Sequence, residues 1–572
     1  ILTCFFVPID KQYIRYFDYK TLICLTAILI SVQCLKDSGF FQFASKKMIY
    51  FFKNTRSVIL SLILLTFVTD LFLANDMSLI TLLPLTCIVL KSTNNMKYFS
   101  LTLVLQNIAA NMSGMITPHG NPQNIYLYSF YNIPTLQFIK ILLPHFFIVL
   151  FLLPLVVLPI GFFPNSYNIP KIILLYGCGI ILLICLFIKY KDLKFDKLDI
   201  LLLSFLILVC ISTIFSVNVK ESIFGTNNRY EGLFTFICYF LIYYSSKYFF
   251  KFNKKIIIFS MICLLITNTL AILQYYDIEI FNILFNSDVF GDSFASATFG
   301  NRNFYGSFLS ICMPYTMCLY LFKNKKIYLF ISSLSFFGLL VSLTRSAWFA
   351  CGITLIVTLI YIIKLKDKKI ILNFVKCILI YCLLFIVFYF SKSDLFTQRF
   401  EETKNEISNI TNTINNENIT KVNINNSSLF NGRFIIWETA LRIISDHPII
   451  GCGPDTFFSE ICTNHVEFLV NKIYPTLGAF PDKAHNEYLQ IAATLGIPAL
   501  IIYLTFIVLT LKKSLKTKLT QSKQNFIIFI CFIGYLIQAF TNISTIGVAP
   551  IFYFLLGYSN QINNTIKLNE KN

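Results

Sequence analysis

The sequence predicts an all-α, polytopic integral membrane protein. Three observations carry that prediction: the composition of the chain, the length of its apolar runs, and the alternation of basic residues between the loops joining them. Of 572 residues, 56% are hydrophobic and only 13% are charged, with a mean hydropathy of +0.69. Soluble domains carry roughly 25% charged residues. Runs such as Ile141–Phe163, Lys171–Ile188 and Glu487–Leu511 hold about 18 or more mostly apolar residues, enough to cross a hydrocarbon core ~30 Å thick. A soluble helical core does not fit this composition.

Taken in order, the runs form two modules of about 16 transmembrane or re-entrant segments. The first module, 1–160, has segments at 20–35, 57–74, 77–90, 99–115 and 141–160. A short polar break, Gly161–Pro170, precedes the second module, 165–572. Its segments are 170–188, 198–216, 232–246, 256–274, 303–322, 327–343, 347–363, 370–390, 487–511, 525–540 and 547–559. The chain opens Ile1-Leu2 rather than on Met, as a fragment of a longer chain would. Its abundant Ile, Asn, Lys, Phe and Tyr fit an AT-rich bacterial genome.

The net charge of +19 does not imply nucleic acid, because the basic residues sit in short clusters between apolar runs. One set of loops in the second module holds Lys189, Lys191, Lys194 and Lys197, then Lys247, Lys251, Lys254 and Lys255, then Lys323, Lys325 and Lys326. Lys364, Lys366, Lys368 and Lys369 follow, and finally Lys512, Lys513, Lys516, Lys518 and Lys523. The alternate short loops carry only Lys220, Arg229, Arg302 and Arg345. This alternation assigns the lysine-rich side to the cytoplasm and its anionic lipids. The chain between Lys97 and Lys140 must then re-enter the membrane rather than cross it. The long segment 391–486 becomes extracytoplasmic, with a flexible Asn/Thr-rich stretch at Asn405–Ser428 and a patterned region at Phe430–Tyr488.

The external loops hold Arg229, Arg302, Arg345, Arg399, Arg433 and Arg442. Arginine is costly near a bilayer, and its planar fork suits phosphate. Each of these could snorkel to headgroups or pair with a loop carboxylate, but the set on one face points to an anionic site. His485 starts an apolar run directly after a polar loop, where an imidazole can serve as a general base. Glu487 could orient it, although residues two apart do not share a helix face. His119, His145, His447 and His465 compete for the role. The 17 cysteines are scattered without metal spacing, and Cys452 and Cys462 could pair in the external loop. Asp-x-Asp, His-Glu-x-x-His and P-loop motifs are missing, so no metal and no cofactor are expected.

Residues from about 198 to 559 resemble the O-antigen ligase/polymerase family. The stretches that carry the resemblance begin with Ile211–Ser216, Phe224-Gly225 and Arg229-Tyr230-Glu231-Gly232. Thr298–Phe304 and Ser342–Trp348 come next, then Gly432-Arg433 with Trp437, Asp446–Pro454, His485–Gln490 and Leu495–Pro498. Asn301-Arg302-Asn303 departs from the family's more usual Asn-Pro-Asn, and Cys452 from a small aliphatic residue. The resemblance implies a metal-independent glycosyltransferase of a bacterial cytoplasmic membrane, with its active site extracytoplasmic. The donor would be an undecaprenyl-diphosphate-linked glycan, and the acceptor a hydroxyl on a lipid, protein or polysaccharide. His485 would be the base, with Arg345 and Arg433 on the diphosphate. Arg229, Arg302, Asn303 and Glu487 would complete substrate binding.

The first module resembles half of an ion transporter of the superfamily that includes arsenite, citrate and sodium/proton carriers. Leu73–Asp76 and Thr117–Asn124 carry that likeness. It implies that Asn75, Asp76, Asn121 and Asn124 sit at broken-helix tips that bind ions. Because such carriers need two repeats, a truncated transporter fused to the ligase is expected. The alternative is a working ion or anion transporter.

Overall fold

A computed structural model describes residues 55–70, 75–114, 168–188, 195–227, 229–250, 254–278, 295–391, 429–468, 481–516 and 523–569. It also describes the isolated positions Ile30, Cys34, Asp37, Ser38, Phe43, Lys46, Asn124, Glu401 and Val470. Among the described residues all regular structure is helical. The contacts divide the chain into two units, Ile1–Leu143 and Pro144–Asn572. Most of the break at Gly161–Pro170 and of the segment expected at 20–35, and all of 141–160 and Asn405–Ser428, lie outside the described residues.

In the first unit, the segments expected at 57–74, 77–90 and 99–115 are α1 (Thr55–Asp70), α2 (Asn75–Ser92) and α3 (Phe99–Gly114). Val58 and Leu62 of α1 pack with Leu82, Leu85 and Val89 of α2. A buried polar tie joins all three helices. Gln106 Nε2 donates to Thr66 Oγ1 at 2.8 Å, and Thr86 Oγ1 donates to Gln106 Oε1 at 3.1 Å. In an apolar interior each such group must find a partner on another helix.

The second unit begins with α4 (Ile169–Ile188), α5 (Lys197–Ile214), α6 (Val219–Phe224), α7 (Leu233–Phe249) and α8 (Lys254–Tyr275). It continues with α9 (Arg302–Lys323), α10 (Lys326–Val341), α11 (Arg345–Leu365) and α12 (Lys368–Ser391). Next lie α13 (Leu429–Asp446) and α14 (Phe457–Asn464). Then come α15 (Glu487–Leu495), α16 (Ile497–Lys516), α17 (Lys523–Ala539) and α18 (Ala549–Asn569). Seven of these helices, α4, α5, α8, α9, α11, α12 and α16, are long and apolar enough to cross a membrane. The protein is a multi-pass membrane protein.

Helix α9 is the hub, packed against α10, α11, α12 and α17. It can be buried despite its serines and threonines because their hydroxyls bond back to its own carbonyls, as Ser310 does to Ser307 O at 2.7 Å. Helix α12 is peripheral, with Leu379, Leu383 and Phe390 exposed; a bilayer would cover such a face.

The lysine-bearing helix ends meet one another. Lys247, ending α7, lies 2.5 Å from Asp199 and 3.0 Å from Asp196 at the start of α5, and Lys513 of α16 lies 3.5 Å from Asp196. Lys523, opening α17, sits over the ring of Phe322 near the end of α9.

The expected single segment 487–511 is two helices, and backbone geometry explains the break. Gly496 has φ +90, and a Cβ there would lie 2.1 Å from Ile449 O. The chain at 448–453 fills the gap: Cys452 N donates to Ala493 O (3.1 Å), Gly453 N to Thr494 O (2.9 Å), and Ile497 N to Pro448 O (2.9 Å). The end of α15 thus finds its acceptors' partners in a loop rather than in a continuing helix. Cys452 is buried in the apolar cluster that joins α13, α14 and Ala484, whereas Cys462 is exposed. Both thiols are free, so the pairing considered from sequence does not form.

Candidate active site at the arginine-bearing end

The loop Pro481–Asn486 delivers His485 to the start of α15. Asn486 caps that helix, its side chain accepting from Tyr488 N (3.0 Å) and Leu489 N (3.1 Å). Ala484 N donates to Gln490 Oε1 at 2.7 Å. His485 itself has φ 48, the left-handed region, which costs a non-glycine residue energy that the surroundings must supply.

Those surroundings are charged. Arg229 Nε donates to Asp482 Oδ2 at 2.6 Å, and its guanidinium lies 5.1 Å over the Phe304 ring of α9. Lys483 is buried between Glu231 and Asp455; its ammonium donates to Glu231 and lies 3.4 Å from Asp455 Oδ1. Asp455 Oδ2 accepts from Thr226 N (2.7 Å) and Thr226 Oγ1 (3.0 Å). Ser544 Oγ donates to Glu231 Oε1 at 2.6 Å. One ion network therefore ties the 226–231 loop, the loop before α14, the His485 loop and the turn before α18. A cavity of about 40 Å³ lies within it, lined by Glu231, Asp455, Lys483, Glu487 and Ser544 among others.

Burial first, and then the charges of Arg433, Arg229 and Lys483, lower His485 to about 4, with Asp482 opposing. Burial would raise Asp482, but the Arg229 charge and hydrogen bond hold it below the ordinary value. Burial likewise lowers Lys483, yet Glu231 and Asp455 bring it above the usual ammonium value. The imidazole is therefore neutral at pH 7 beside at least three cations.

The predicted residues fall into groups. His485, Arg433 and Arg229 share one electrostatic environment. Arg302 and Asn303 open α9, Asn542 Nδ2 donating to Asn303 O at 2.9 Å. Thr344, immediately before Arg345 at the start of α11, donates to Arg302 O at 3.1 Å. Glu487 lines the cavity of the charged network. Its carboxylate is buried and accepts from Tyr503 and Tyr535, both at 2.9 Å. In the first unit, Asn75 Nδ2 donates to Asn111 Oδ1 at 2.8 Å, and Asn124 Nδ2 donates to Gly114 O at 3.0 Å. Asp76 falls within α2. Asn121 and the rest of Thr117–Gln123 lie outside the described residues.

Sequence reasoning passed over Asp482, Lys483, Asp455 and Ser544. The available signal was the charge of the first three in a chain so poor in charge. The fold also gathers Asp446, Glu460 and His465, with one carboxylate or imidazole atom of each within 4.8 Å of the others. Their spacing matches no motif; they meet where α13 and α14 join one apolar cluster and His465 Nε2 comes within 2.9 Å of Asp446 Oδ2.

Fold and site define a class: a multi-pass helical membrane protein with a histidine set among arginines at one end of its bundle. Residues 330–504 match the profile of the family described as O-Antigen ligase. The match takes in Arg345, Arg433, His485 and Glu487 and stops short of Arg229, Arg302 and Asn303. It supports a membrane ligase or polymerase. The N-terminal region matches other membrane proteins. An uncharacterized transporter of Methanocaldococcus jannaschii is 33% identical over 128 residues, 22% of this chain and 36% of that protein. Inner membrane protein YbiR of Escherichia coli is 31% identical over 125 residues, 22% of this chain and 33% of that protein. The chain thus spans about a third of the length of these curated relatives.

Proposed function

We propose that the chain transfers a glycan from an undecaprenyl-diphosphate carrier to an acceptor hydroxyl, on the extracytoplasmic face of a bacterial cytoplasmic membrane. Residues 165–572 carry the chemistry. The observation that supports this most directly is the Arg229–Asp482 ion pair, 2.6 Å, which brings an arginine to the loop that carries His485. The acceptor oxygen attacks the sugar carbon linked to phosphate, and that C–O bond breaks. Undecaprenyl diphosphate leaves, and the acceptor proton passes to His485. Arg433, Arg345 and Arg229 hold the diphosphate and stabilise the charge it gains. Burial and the neighbouring cations keep His485 a weak base; a bound diphosphate offsets the cations, so donor binding raises its basicity when it is needed. Arg302 and Asn303 shape the donor site. Glu487, held by two tyrosines, fixes the start of α15.

A second reading, ion or anion transport, rests on the N-terminal matches and on the Asn75–Asn111 amide pair beside a polar three-helix tie. On that reading residues 1–160 are a partial transporter-like module joined to the ligase. Thermal stabilisation separates the two. Lipid-diphosphate glycan should raise the unfolding midpoint of the purified chain in detergent. A rise only with a small anion plus sodium or protons would favour the carrier.

A further inference from the structure

We propose that Asp446, Glu460 and His465 form a divalent-metal site of the zinc type, a clip in the external segment that stands apart from the transfer chemistry. Asp446 ends α13, Glu460 lies on α14, and His465 is the residue that caps α14. One ligand atom from each lies within 4.8 Å of the others. Hydrogen bonding leaves two of these groups unserved. Glu460 is fully buried; its Oε1 takes His447 Nε2 at 3.0 Å and Asn464 Nδ2 at 2.8 Å, but its Oε2 is buried without a hydrogen-bond partner. His465 Nε2 is also buried and lacks a hydrogen bond, although Asp446 Oδ2 stands only 2.9 Å away. A lone carboxylate oxygen is costly in such a place unless a cation faces it. A cation here would serve both atoms at once.

The donor set indicates which ion. An imidazole with two carboxylates suits zinc, whereas calcium and magnesium favour all-oxygen shells. Ligand atoms on a tetrahedral zinc stand roughly 3.3 Å apart, for bonds of ~2.0–2.1 Å. Closure from 4.8 Å therefore needs a shift of up to about 1.5 Å, to which Asp446, half-exposed at a helix end, can contribute. His447 holds Glu460 from behind, as outer partners of metal ligands do. Helix α14 packs through Phe457 and Ile461 onto the cluster containing Ala484, so the clip would steady the loop that carries His485.

The test uses the full, untagged chain in detergent, stripped by chelator and titrated with Zn²⁺ alone, then separately with Co²⁺, Ca²⁺ and Mg²⁺. One Zn²⁺ per chain, a raised unfolding midpoint and a tetrahedral Co²⁺ visible spectrum are expected, with little response to Ca²⁺ or Mg²⁺. Asp446→Asn and His465→Ala, with fold checked by size exclusion, should each weaken Zn²⁺ binding by more than about 10-fold, while Cys462→Ser leaves it unchanged. The proposal is overturned if the wild-type chain takes up no zinc, if folded variants bind as the wild type does, or if cobalt shows thiolate charge-transfer bands. None of these readouts depends on transfer activity, so failure here leaves the proposed function standing.

Discussion

His485 combines a left-handed backbone with an imidazole held neutral by burial and neighbouring cations. Because its value falls to about 4, the free protein keeps this imidazole unprotonated well below the ordinary histidine range, and the proposed base is ready without a prior proton loss. The transfer rate at limiting donor should therefore stay level from about pH 8 to about pH 5; a pH–rate profile with a fall centred near 6.5 would contradict this. Stability moves differently. A histidine lowered in the folded state favours unfolding as pH drops from 6.5 towards 4, and Asp482, held low by Arg229, loses its contribution on further acidification. Both effects weaken the fold in acid. The Lys483–Glu231 pair is the other sensitive point. Glu231→Gln leaves a buried ammonium with only Asp455, and should cost about 3 kcal/mol, measured by denaturation in detergent.

At the scale of elements, most helices were legible because hydropathy alone sets them. Segments such as 303–322 and 370–390 reappear as α9 and α12 within a few residues. The break between α15 and α16 was not, since Leu495–Pro498 sits inside a continuous apolar run. What stops the helix is the 448–453 loop, which arrives from elsewhere in the chain and takes the carbonyls of Ala493 and Thr494. The same reason hid Asp455, Lys483 and Ser544: each looks like an ordinary loop residue until the fold closes the network. His485, Arg433 and Arg229, which the fold does bring into one electrostatic environment, stood out as candidates because a histidine at an apolar boundary and arginines in lysine-poor loops are unusual in themselves. Gly496→Ala tests the break. It forces a Cβ into Ile449 O at a positive φ, and should destabilise the chain by about 1–3 kcal/mol and lower transfer; wild-type stability would show that the break is not fixed there.

At the scale of the molecule, the division of basic residues organises everything else. Lysine-bearing ends meet around Asp196 and Asp199, while Arg229, Arg302 and the His485 loop occupy the arginine-bearing end. Protease sites inserted at Asn415 and at Lys366 should be cut from opposite sides of sealed vesicles, Asn415 from the extracytoplasmic side; cutting of both from one side would undo the topology. The account as a whole rests on His485 acting as the base within that cationic site. The most direct measurement is transfer from purified undecaprenyl-diphosphate glycan by wild type and His485→Ala, read as a gel shift of the product. The account predicts that turnover falls about 10²–10⁴-fold with donor binding nearly intact. Wild-type turnover in a folded His485→Ala protein would contradict it.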